Sequence, residues 1–384
     1  MDNKASQGAS QQGSGPAGGS QRPKTYLVTG GAGFIGSSFV ELLKKKGHRT
    51  VVLDALTYAG HRANLDNLQG SGEVHFVQGQ IQDGELVGQL LREFQPDAVV
   101  NFAAESHVDR SIEGPAVFIE TNILGTYQLL EQSLSYWRSL KEQSATAEAA
   151  AASSDASSAA QSKHQNFRYL QISTDEVYGS LGETGKFSET TSYQPNSPYS
   201  ASKAGADHLV RAWHHTFGLP TLTTNCSNNY GPRQFPEKLI PLMIHNALAG
   251  KALPVYGTGK NVRDWIHVED HCAGIFLGLE KGTPGSTYCF GGNAEMRNLD
   301  VVEGICSLLN ELRPLSGGKK YQEQIEFVQD RAGHDWRYAI DDSLAQKELG
   351  FTRRHNFATG LRSTLEWYLN NTEWVAEVLK RDQA

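Results

Sequence analysis

A chain of 384 residues with a net charge of −7 and 20% charged side chains has no general nucleic-acid surface, so any basic site must be local. Its four cysteines (Cys226, Cys272, Cys289, Cys306) show no metal-ligand or CxxC spacing, which excludes a cysteine metal centre and points to a reducing, cytoplasmic setting with buried thiols. No apolar run approaches the roughly 18 residues that span a bilayer, and the N-terminus has no apolar signal core, so neither a membrane partner nor secretion is expected.

Residues 1–23 are Gly, Ser and Gln with almost no apolar content and are expected to be a disordered tail. Thr25–Thr29 reads as a short buried strand, followed by Gly30-Gly-Ala-Gly33-Phe34-Ile35-Gly36 and a helix with Phe39, Val40, Leu42 and Leu43 inward and Gly47 as its stop. A second strand at 50–53 ends in Asp54. Further strands are expected at 74–77, at 98–102 and just before Thr174, with helices at 85–94 and 118–140 between them. This βαβ alternation predicts an α/β chain: a Rossmann-type doubly wound parallel sheet with a smaller, interleaved C-terminal substrate lobe. Residues 141–165 are an Ala/Ser/Gln-rich run in which nothing is expected to pack, read as an exposed insertion with no catalytic part. After Asn225 the elements shorten and polar clusters appear. The expected division is a 24–228 cofactor domain and a 229–384 lobe, with about 263–288 returning to the first domain. Helices are expected at 270–279, 299–312 and 357–369.

Three glycines spaced Gly30-x-x-Gly33-x-x-Gly36 between a strand and a helix suit a dinucleotide pyrophosphate, since each removes a Cβ where backbone must turn or approach the ligand. A lone triplet can also be a plain tight turn. Asp54 lies 18 residues past Gly36, where a carboxylate accepts bonds from both adenosine ribose hydroxyls and repels a 2′-phosphate, which argues for NAD over NADP; a solvated strand-end carboxylate is the bland alternative. Arg62 nearby can blunt that preference.

The stretch from Ile172 to Gly179 places Thr174, Asp175 and Glu176 at a strand's carboxyl end, which faces the ligand crevice in an open parallel sheet. Tyr199 and Lys203, spaced i, i+4, share one helical face. A phenol can take an alcohol proton at neutral pH only if its pKa is lowered, and a Lys ammonium with a cofactor cation is expected to do that. Thr174 can hold the same substrate oxygen. Asp175 and Glu176 exceed what a simple dehydrogenase needs: once a sugar C4 hydroxyl is a ketone, one carboxyl can remove the C5 proton while another protonates the departing C6 hydroxyl. A pair capping the next turn is the structural alternative. Arg263, Arg331 and His334 are expected as isolated cations in polar, Gly-containing loops, able to hold a diphosphate. The run 228–232 offers amides to sugar hydroxyls or is simply a turn.

The strings TGGAGFIGS, ISTDEVYG, SPYSASKAGADHLVRAW, NCSNNYGP, RDWIHVEDH and RAGHDWRYAID resemble the extended short-chain dehydrogenase/reductases, and most closely their dTDP-glucose 4,6-dehydratase branch. The resemblance runs from Lys24 to the end, excluding 141–165. It implies catalytic, tightly held NAD lined by Gly30, Gly33, Phe34, Ile35, Gly36, Asp54, Gln80, Ile81, Ala103, Tyr199 and Lys203. Tyr199 would act on the C4 hydroxyl, Glu176 on C5 and Asp175 on the C6 hydroxyl, with Thr174 and Lys203 completing the catalytic set. Ser106, Thr174 and Asn228 would contact the sugar, and Lys238, Leu239, Pro254 and Tyr256 the base. Arg263, Asn298, Arg331 and His334 would meet the nucleotide and diphosphate. A homodimer is implied, paired through helices around 118–134 and 199–217. Where relatives carry Asp-Ile at the adenine this chain has Gln80-Ile81, and Ala332 replaces a usual Pro. The substrate is expected to be a nucleotide-sugar, dTDP-glucose or, as runner-up, UDP-glucose; a C4 epimerase and a non-catalytic NAD-binding scaffold are the remaining readings.

Overall fold

Near-continuous Val, Leu and Tyr runs such as Tyr26-Leu-Val28 and Val51-Val-Leu53 cannot face water on either side, and they become strands covered on both faces. The computed structural model describes residues 22–66, 68–149, 162–330 and 334–381. Its strands are β1 (Thr25–Thr29), β2 (Arg49–Asp54), β3 (Val74–Gln78), β4 (Ala98–Asn101), β5 (Arg168–Ile172), β6 (Thr221–Cys226), β7 (Asn228–Tyr230), β8 (Leu253–Tyr256), β9 (Val262–His267), β10 (Thr287–Phe290), β11 (Glu295–Arg297) and β12 (Ile325–Val328). Seven form one sheet in the order β10-β6-β5-β4-β1-β2-β3, every pair parallel. Strand order reverses between β1 and β4, which opens a crevice outside their carboxyl ends. A buried polar ladder pins the register there: Thr29 Oγ1 donates to Asn101 Oδ1 at 2.6 Å, and Asn101 Nδ2 donates to Gln171 Oε1 at 2.9 Å.

Helices Phe34–Lys45 and Val268–Lys281 cover one face through Phe39, Val40, Leu43 and Ile275. Helices Gly84–Phe94, Thr126–Ala149 and Pro198–Phe217 cover the other through Val87, Leu90, Leu129 and Val210. A third apolar core, with Met243, Val255, Trp265, Ile305 and Leu365, belongs to the smaller lobe, where β11-β9-β7 and β12-β8 form two small sheets.

Two expectations need correction. The helix expected at 118–140 is three pieces, Ala116–Phe118, a π-helical Ile119–Gly125 and Thr126–Ala149. The wide turn lets Asn122 reach out: its Oδ1 accepts from Glu105 N at 2.9 Å, and its Nδ2 donates to Glu105 O at 3.0 Å and Ser202 Oγ at 2.8 Å. The 141–165 run is not wholly unpacked. His164 stacks on Trp137 with ring centroids 4.6 Å apart, Trp137 Nε1 donates to His164 O at 3.0 Å, and Lys163 Nζ donates to Gln95 O. Stacking anchors that end because Trp137 offers an indole face which composition alone does not reveal. The expectations for 150–161 and for the tail through residue 21 lie outside the described residues. Among the described residues no helix is long and apolar enough to cross a membrane.

Candidate active site

Where β5 ends, Thr174 caps a short 3-10 turn, Asp175–Tyr178, its Oγ1 accepting from Glu176 N at 3.3 Å; Gly179, at φ +88°, closes the turn. Asn225 Nδ2 donates to Thr174 O at 2.9 Å and ties the turn to β6. Asp175 is 3% exposed. Its Oδ1 accepts from Thr174 Oγ1 at 3.3 Å, while Oδ2 is buried without a hydrogen-bond partner. Burial first, and the neighbouring Glu176 carboxylate second, push the Asp175 carboxyl well above its ordinary range, which favours its protonated form. Glu176 is half-buried in the same cavity wall. Two adjacent carboxyl groups thus sit in different settings.

Ser197 caps the Pro198–Phe217 helix in a reciprocal box with Ser200, and Pro198 starts it, which fixes the helix entry. Tyr199 and Lys203 both turn into the cavity. Lys203 is 4% exposed and its Nζ donates to Ile172 O at 2.6 Å, leaving two ammonium donors for a ligand. Burial lowers its pKa and the Asp207 carboxylate one turn on opposes that. Asp207 Oδ2 accepts from Ser173 Oγ at 2.5 Å and Tyr193 OH at 3.0 Å, and burial raises its own pKa to about 6. The expected lowering of the Tyr199 phenol is not what the protein alone produces. Burial, then Glu176, drive it well above its ordinary value, with a Thr174 hydrogen bond opposing them. The Thr174 hydrogen bond is outweighed, so lowering the phenol calls for further positive charge brought into the cavity.

The same cavity, about 440 Å³, runs without a break to the glycine turn. A Cβ at Gly36 would lie 2.2 Å from Gly30 O and one at Gly30 2.5 Å from Ala103 N, so both are needed for packing. A Cβ at Gly33 would meet only Gly30 O, at 3.3 Å, and otherwise stand in the cavity, on the cradle a pyrophosphate needs. The Phe34–Lys45 helix begins there with no side-chain cap and no acidic residue in its first turn, leaving its N–H donors to a ligand. Asp54 stands at the cavity wall, Oδ2 accepting from Ala32 N and Oδ1 from Leu56 N, both at 2.8 Å. Arg62 lies over the Phe76 ring at 4.3 Å. Phe34, Ile35, Gln80, Ile81, Ala103 and Ser106 line the same space, as do Thr174, Asn228 and Lys238. These residues fit an adenine dinucleotide with its nicotinamide end at Tyr199.

The expected nucleotide end is differently built. Leu239, Pro254, Tyr256, Arg263, Asn298 and His334 do not line this cavity, and Arg331 lies outside the described residues. Leu239 opens the Leu239–Leu248 helix and packs into the lobe core. Arg263 is no isolated loop cation. It sits buried on β9, lies 4.3 Å over the Tyr338 ring and donates to Val262 O at 2.8 Å and Asp335 O at 2.9 Å. The segment after 334 folds across β9, so backbone carbonyls meet the guanidinium. His334 is paired with Asp330 at 2.6 Å and sits edge-on to Tyr256. Asn228 to Tyr230 is strand β7, not a turn. Asn122, Asp207, Phe235 and Asn64 also shape the site and escaped sequence reading, because each acts on a partner distant in the chain.

Comparison with known proteins agrees with this geometry. A family model described as GDP-mannose 4,6 dehydratase matches residues 27–364. The chain is 57% identical over 355 residues to a dTDP-glucose 4,6-dehydratase of Xanthomonas campestris pv. campestris, covering 92% of this chain and 96% of that one. It is 51% identical to that of Salmonella typhimurium, covering 92% and 94%. Among solved structures, DesIV, the dTDP-glucose 4,6-dehydratase of Streptomyces venezuelae with NAD and TYD bound, superposes with a TM-score of 0.79 at 42% identity, covering 92% of this chain and 99% of that one. With the glycine cradle, the Tyr199–Lys203 pair and the Asp175–Glu176 turn all in one cavity, the chain belongs to the dTDP-glucose 4,6-dehydratase family of NAD-dependent, extended short-chain dehydrogenases/reductases.

Proposed function

We propose that the protein dehydrates dTDP-glucose to dTDP-4-keto-6-deoxyglucose. The observation that carries this reading is the buried Asp175, its carboxyl pushed upward by burial, beside Glu176 in the cavity that also holds Tyr199. Gly33, Asp54 and Gln80 would hold NAD, which would supply a hydride acceptor for C4 and a hydride donor for C6. Tyr199, as phenolate, takes the C4 hydroxyl proton, and Thr174 steadies the same oxygen. The C4 ketone acidifies C5–H, which Glu176 removes as Asp175 protonates the C6 hydroxyl and water leaves. The proton on Glu176 exchanges with solvent before Glu176 reprotonates C5. The proton left on Tyr199 balances the one Asp175 has lost, so the site resets without a net change. Ser106 and Asn228 hold the sugar and Lys238 the nucleotide side of the cavity, while Pro254, Tyr256, Arg263, Asn298, Arg331 and His334 form the outer nucleotide site.

A homodimer is part of the proposal, supported by exposed Ile112, Val117, Ile119, Leu124 and Tyr127 along the helices before β5 and Phe217 at the end of the Pro198–Phe217 helix. Four free, buried cysteines support a cytoplasmic setting. Incubation with dTDP-glucose and, separately, UDP-glucose in deuterated solvent tests the reading. Expected is faster keto-sugar formation from dTDP-glucose, with solvent deuterium at C5 and the original C4 hydrogen at C6. Product lacking that label pattern, or a preference for UDP-glucose, refutes the corresponding part.

A further inference from the structure

We infer that Trp374, on the Thr372–Arg381 helix, is a positioning residue for the glycine turn, acting through Asn64. This rests on the NAD reading above. Asn64 is 1% exposed and bridges two parts of the molecule. Its Nδ2 donates to Ala32 O, inside the glycine turn, at 2.8 Å, and its Oδ1 accepts from Trp374 Nε1 at 2.9 Å across 310 residues of chain. Ala32 is thereby held from both ends, since its N–H donates to Asp54 Oδ2 at 2.8 Å and its carbonyl also accepts from His61 N at 3.0 Å. Trp374 engages the acceptor end of the Asn64 amide and so fixes which way round the amide stands, with Nδ2 toward Ala32 O.

The indole is itself fixed. It packs edge-on to Trp367 with ring centroids 5.1 Å apart and at 6.2 Å from Tyr368. Tyr368 OH donates to Gln234 O at 2.5 Å, beside Phe235, whose ring stacks on His61 at 5.5 Å. The two C-terminal helices therefore reach the cofactor cleft by two routes that meet at Ala32 O, one through Asn64 Nδ2 and one through His61 N, and the Trp374 route is the one made of hydrogen bonds throughout. A turn meant to offer fixed N–H groups to a pyrophosphate gains affinity from being held before the ligand arrives.

Trp374→Phe in the full-length protein keeps the aromatic packing and removes one N–H. Expected is release of bound NAD about 3- to 10-fold faster than from the parent, the worth of one neutral hydrogen bond. Amide hydrogen exchange across residues 30–37 should quicken while that of β5 stays at the parent rate. Combining it with Asn64→Ala should add no further loss beyond Asn64→Ala alone, because both cut one path. Unchanged NAD release together with unchanged exchange at 30–37 overturns the inference, as does full additivity of the pair. A parent protein that neither carries nor binds NAD refutes the functional reading instead; the exchange measurement then decides the Trp374 role by itself.

Discussion

Asp175 and Glu176 share a peptide bond but not an environment: both line the cavity, the first buried with one oxygen bonded to Thr174 Oγ1, the second half-buried. Glu176→Gln should therefore leave C4 oxidation intact and slow elimination by about 10²–10⁴-fold, read as keto-sugar formation against transient NADH absorbance. Tyr199→Phe should abolish that transient altogether, because it removes the hydroxyl that stands one helical turn from Lys203 in the cavity. Asp207 carries a prediction about stability. Its folded pKa of about 6 lies above the ordinary carboxylate value, so the folded state binds the proton more tightly than the unfolded chain does. Its contribution is fully present below pH ~4 and is lost as pH rises through about 6, at most about 3 kcal/mol. Asp207→Asn, which can still accept from Ser173 and Tyr193, should gain stability over the parent between pH 5 and 8 and lose that advantage below pH 4. Denaturant midpoints across that range measure it; a constant difference would show that the buried charge costs nothing.

At the scale of elements, the helix of 118–149 does two jobs. Its π-helical turn sends Asn122 into the loop that carries Glu105 and Ser106, while the opposite side leaves Leu124 51% exposed. Leu124→Glu should convert a sedimenting dimer to monomer with the monomer fold intact by circular dichroism; a parent that already sediments as monomer would remove the dimer proposal. Farther along, Trp137 holds the far end of the insertion through His164, by ring stacking and a hydrogen bond to its carbonyl. Replacing 150–161 by a short Gly/Ser bridge should leave turnover at the parent rate, whereas His164→Ala should lower the unfolding free energy by about 1 kcal/mol. Equal behaviour of the two variants would mean that the stacking does not anchor the run.

Across the whole molecule, specific side-chain ties join the two lobes. Arg233, at φ +68°, pairs with Glu41 of the Phe34–Lys45 helix at 2.5 Å, Phe235 stacks on His61, and Trp374 reaches Asn64. By itself the amino-acid order determined the parallel sheet, the glycine turn with Asp54, and the Thr174–Glu176 and Tyr199–Lys203 groups. Those features are local: alternation of apolar runs, glycine spacing and helical periodicity are properties of neighbouring residues. Tertiary structure alone decided which cations are isolated. Arg263 looked free in a loop, yet lies buried on β9 among backbone carbonyls, because its partners arrive 72 and 73 residues later. It also decided the setting of Tyr199, since burial and the Glu176 charge act through space, and the Trp374–Asn64–Ala32 link, whose ends share no pattern along the chain.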